Sequence, residues 1–163
     1  MRALAEWLRG RLADAERGFA GVVAGWQAAG ERPLAASACH FLGQVQRAQG
    51  RLDAALATYQ QALEITAPPG QAAMPAAGIG YVGMAEVAYQ RGELDAALGQ
   101  VTEGIARCRR VNWTQPLATG LVTLAWIRHA KGDLAGALEA IGEAERAGPS
   151  PACSTPSQRS GRG

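Results

Sequence analysis

The residues that could carry chemistry are few and scattered. Gly78-Ile79-Gly80-Tyr81-Val82-Gly83 is a literal G-x-G-x-x-G. In a dinucleotide-binding unit such glycines let the backbone approach a pyrophosphate, with a strand before the turn and a helix after it. Gln71-Ala72-Ala73-Met74-Pro75-Ala76-Ala77 precedes the motif here and has no strand pattern. The glycines fall instead inside a helical stretch, where small residues let neighbouring helices come close. His40 and His129 are the only histidines, and neither has ligand spacing to a cysteine or to paired acids, so no metal is expected. Cys39, Cys108 and Cys153 are odd in number, widely separated and outside any C-x-x-C, which predicts free thiols in a reducing compartment. No serine or threonine has a His–acid partner at readable spacing, so nucleophilic catalysis has no support. Arg107, Arg109 and Arg110 beside Trp113 carry the charge to hold an anion or phosphate. The plainer role for them is as cations at the negative end of a helix. The expectation is of no catalytic residues, no cofactor and no enzyme.

What would position these residues is a phrase written four times. It reads Gly10-Arg11-Leu12-Ala13-Asp14-Ala15, Gly50-Arg51-Leu52-Asp53-Ala54-Ala55, Gly92-Glu93-Leu94-Asp95-Ala96-Ala97 and Gly132-Asp133-Leu134-Ala135-Gly136-Ala137. The spacings are 40, 42 and 40 residues, in the range that marks stacked repeats. Each phrase is the turn of a helical hairpin. Glycine ends the first helix in a left-handed conformation, and Leu and Ala begin the buried stripe of the second. Alanine dominates the composition while Val, Ile and aromatics are sparse, which favours helix over sheet. Arg159 and Arg162 account for the net charge of +2, so the remainder is neutral and shows no basic face for nucleic acid. No apolar run suits a signal peptide or a membrane span, and a cytoplasmic location is expected.

In chain order, residues 1–9 read as half a helix, with Leu4, Trp7 and Leu8 at helical spacing. A helix over about 12–29 presents Leu12, Ala15, Phe19, Val22, Val23 and Trp26 as its buried stripe. Helices over about 33–49 and 52–66 form the next hairpin, 72–91 and 94–111 the third, and 115–131 and 134–147 the fourth. Asn112 is a plausible stop between the last two hairpins, and Gly148-Pro149 ends the array. Residues 1–147 are therefore expected as one repeat domain, and 148–163 as a disordered Pro/Ser/Gly/Arg tail.

Leu42-Gly43, Gly50, Leu52, Ala55, Tyr59 and Ala62-Leu63 stand at the spacing of the tetratricopeptide (TPR) pattern, with Gln46 where that pattern has a tyrosine. The repeats exceed the common 34-residue unit by about two helical turns. Long repeats of this kind resemble the MalT-like TPR region of large ATP-binding, LuxR-type bacterial transcription regulators. The likeness is most specific in Gly80-Tyr81-Val82-Gly83-Met84-Ala85-Glu86-Val87-Ala88-Tyr89, in Glu103-Gly104-Ile105-Ala106-Arg107-Cys108-Arg109-Arg110, and in Gln115-Pro116-Leu117-Ala118-Thr119-Gly120-Leu121. It implies an all-α, right-handed TPR-like helical-hairpin solenoid of about three and a half repeats. It also implies a role in receiving the inducing signal for such a regulator. With no GxxxxGK[ST] loop and Lys131 as its only lysine, the chain is not itself expected to hydrolyse ATP. With no helix-turn-helix at its C-terminus, it is not expected to bind DNA directly.

In the TPR register, nine residues fall on the first-helix face that lines the concave groove. They are His40, Gln44 and Arg47, then Val82, Glu86 and Tyr89, then Val122, Trp126 and His129. An apolar floor with a few polar groups is what a ligand groove needs. The expected occupant is a protein or peptide segment, or a small inducer, and no membrane. The alternative function is a stand-alone structural adaptor that works by end-to-end stacking or self-association, since solenoid ends need caps. Co-chaperone TPR clamps take Lys and Asn from first helices. Here Ser37, His40, Phe41 and Gln44, then Ile79, Val82, Gly83 and Glu86, stand in those places, so a chaperone tail is not expected.

Overall fold

The computed structural model describes residues 3, 9–70, 72–110 and 114–147. Among them lie seven helices: α1 (Leu12–Ala28), α2 (Arg32–Ala48), α3 (Leu52–Thr66), α4 (Gly78–Gln90), α5 (Leu94–Arg110), α6 (Thr114–Ala130) and α7 (Leu134–Ala147). A short 3₁₀ turn, Pro75–Ala77, leads into α4, and the described residues include no strand. Leu4, Trp7 and Leu8 of the expected half-helix lie outside the described residues, as do Asn112, Trp113, Cys153 and the expected tail.

The repeated glycines make the turns as their position predicts. Gly50 has φ of +75°. Its N–H donates to the Arg47 carbonyl at 2.9 Å, and the Arg51 N–H donates to the Gln46 carbonyl at 2.9 Å. This paired closure satisfies the carbonyls that a helix end leaves open. The same two bonds recur at Gly92 with Glu93 and at Gly132 with Asp133. Each turn thus folds α2 onto α3, α4 onto α5 and α6 onto α7, and the three hairpins stack in sequence order with α1 at one end.

Three first helices share one inward pattern: a small residue, a large aliphatic four positions on, then a β-branched residue three further. They read Ala38, Leu42 and Val45 in α2; Gly80, Met84 and Val87 in α4; and Gly120, Leu124 and Ile127 in α6. Each sits in the groove of the hairpin or helix before it. A Cβ at Gly80 would lie 2.7 Å from Leu63 of α3, and one at Gly120 would lie 3.0 Å from Ile105 of α5. Glycine is what permits this approach, so the G-x-G-x-x-G is a packing element. Gly78 faces Cys108 and Gly104 of α5, while Gly83 faces Tyr59 of α3.

Two expectations are corrected. Helix α4 begins at Gly78 rather than near 72, because Pro75 lacks an N–H and holds Met74 extended, with ψ of 149°. Val22 and Trp26 do not join the buried stripe of α1 but remain 41% and 39% exposed. Among the described helices only α2 packs substantially on α1, and it covers Ala15, Phe19 and Val23. At the other end Leu134 and Leu138 are 60% and 73% exposed, although their register equivalents in earlier repeats are half-buried.

Candidate functional site

The nine residues expected to line the concave face lie on α2, α4 and α6, but the structure divides them into a closed half and an open half. In the closed half His40 is fully buried. The Gln44 amide nitrogen lies 2.9 Å from His40 Nε2. The other ring nitrogen, Nδ1, is buried without a hydrogen-bond partner. The imidazole packs edge-on against Phe41, which stacks on Phe19 of α1 with ring centroids 5.5 Å apart. Burial, then the nearby Arg47 charge, pushes the His40 pKa down to about 4. This histidine is a neutral part of the core rather than an accessible acid or base.

Arg47 reaches from α2 to α4, where its Nη1 pairs with Glu86 Oε2 at 2.6 Å. Both groups are largely withdrawn from solvent, with side chains 14% and 7% exposed. Burial raises the Glu86 pKa against the opposing pull of Arg47. The Tyr59 hydroxyl is buried nearby, and burial followed by the Glu86 charge raises its pKa as well. Val82, also fully buried, supplies an apolar floor. The carboxylate at Glu86 has the wrong sign to receive a C-terminal carboxylate, which agrees with the missing clamp residues.

The open half begins at Tyr89, whose ring stacks on Trp126 of α6 with centroids 6.1 Å apart. Beyond this pair lies an open cavity of about 440 Å³. Glu86 of α4 reaches its rim. The α6 residues Ala118, Thr119, Val122, Thr123 and Trp126 form one wall, and Ile141, Ala144 and Glu145 of α7 form the other. Trp126 is 47% exposed. Glu86, Val122 and Trp126 are thus brought to one cavity, while His40, Gln44 and Arg47 pack behind it and exposed His129 joins neither group. The α7 wall was missed because only first helices were assigned to the groove. Its signal was the register itself: Ile141 occupies the place of Tyr59 and Val101, and Ala144 that of Ala62 and Gly104.

The arginines at the end of α5 are engaged elsewhere. Arg107 Nε donates to Glu103 at 2.6 Å and its guanidinium lies over the Tyr81 ring, while Arg109 pairs with Glu143 at 2.5 Å. Cys39 and Cys108 are buried free thiols, each pushed up to about 11 by burial. Among the described residues no group of three or more His, Cys, Asp or Glu side chains is placed to hold a metal ion. None of the described helices is long and apolar enough to cross a membrane.

Comparison with known proteins places these features. The family model of the MalT-like TPR region matches residues 1–158. The chain is also similar to a crystal structure of nearly identical TPR-like repeats from a Podospora anserina protein named as a kinesin light chain. That match has a TM-score of 0.62 at 18% identity and covers 88% of this chain and 70% of the other. At that identity the likeness is one of fold. A search of curated proteins gives no match.

Proposed function

Because the chain belongs to the MalT-like TPR family, we propose that it is a protein-interaction scaffold whose site is the groove beside Trp126. The observation that carries this reading is the open cavity of about 440 Å³ between α6 and α7, walled by Val122, Trp126, Ile141 and Ala144. An exposed tryptophan above an apolar floor is the kind of anchor that dominates protein interfaces. A small inducer would need converging polar groups to orient it. The cavity offers two threonine hydroxyls and two carboxylates, one of them already paired with Arg47. A partner segment fits this lining better. On this reading residues 1–147 are the interaction domain, and the protein works in the cytoplasm. The array would receive a signal for a LuxR-type regulator and pass it on through its ends.

A photo-crosslinking residue at position 126, in the cell of origin, tests the site. A discrete protein adduct from position 126, absent when the same residue stands at Glu64 on the exposed face of α3, is expected. Equal labelling from both positions would refute the groove. The regulator context rests on the family resemblance and is tested by the flanking DNA. An adjoining ATPase or helix-turn-helix frame is expected, and unrelated flanks would leave a stand-alone adaptor. The exposed Leu134 and Leu138 favour that second reading, in which the end of the stack is itself the working surface.

A further inference from the structure

We draw no further inference here: the strongest candidate, the open cavity of about 550 Å³ at the turn edge between Gly50–Ala54 and Arg91, rests on the N-terminus of α3 alone, because both of its arginines are already paired, Arg51 with Glu16 and Arg91 with Asp53, and nothing in the structure points to a ligand there.

Discussion

The ring of Tyr59 on α3 lies against the backbone of Gly83 on α4, so close that a Cβ at position 83 would fall inside the ring's van der Waals surface. Gly43 of α2 flanks the same ring from within the hairpin. One buried tyrosine thus locks a hairpin together and sets the spacing to the next. Alanine ordinarily stabilises a helix interior over glycine by about 0.5–1 kcal/mol. Here overpacking, at about 1–3 kcal/mol, reverses the sign. Gly83→Ala should lower the urea midpoint, whereas Gly99→Ala, with open space around its Cβ, should raise it. Adding Tyr59→Leu to Gly83→Ala should cost less than the sum of the two. A Gly83→Ala protein as stable as the parent would contradict the lock.

The Arg47–Glu86 pair joins two repeats in a largely dry setting. Arg47→Met strands a buried carboxylate and should cost about 3–5 kcal/mol by urea unfolding. Arg47→Met with Glu86→Leu should recover most of that loss, since two apolar side chains can replace a buried ion pair. If the double variant is as unstable as the single, the pair's worth lies in more than avoiding a stranded charge.

His40 makes stability depend on pH. Its folded pKa of about 4 lies below the ordinary 6.5, so its contribution is complete above 6.5 and is lost as pH falls towards 4. In that window the unfolded chain binds the extra proton. Between pH 7 and 5 the loss should be about 2 kcal/mol. Glu86, with its raised pKa, works in the opposite direction at acid pH, because its folded form gains the proton first. Urea titrations of the parent and His40→Gln at pH 7 and 5 isolate the histidine. The parent should lose about 2 kcal/mol more than the variant, and equal losses would mean that the imidazole titrates freely in the folded state.

Trp126→Ala should separate binding from folding. The side chain is half-exposed, so the urea midpoint should shift by less than about 1 kcal/mol in stability. Affinity for the crosslinked partner should fall at least tenfold. Unchanged affinity would move the site away from the cavity.

The turn glycines and the hairpin count were readable in the sequence because a left-handed residue and a fixed period are local, repeated signals. The packing role of Gly80 and Gly83 was readable for the same reason. Arg47 and Glu86 were placed on one face by register, but their pairing across two repeats depends on side-chain reach, which spacing does not carry. His40 was placed in the groove, yet its complete burial follows from Phe41 and Gln44 closing over it. The exposure of Val22 and Trp26 was not legible, because each belongs to a stripe identical in pattern to buried ones. Only the presence or absence of a neighbouring helix separates them.

Every substantial helix contact among the described residues joins elements adjacent or next but one along the chain. Among the described residues no helix closes the array back on itself, so load applied to its two ends passes through each hairpin in turn. Neighbour-only coupling lets the hairpins yield one at a time, each with its own threshold, instead of rupturing together. Under tension the molecule would lengthen in discrete steps and shorten again as each Gly turn re-forms.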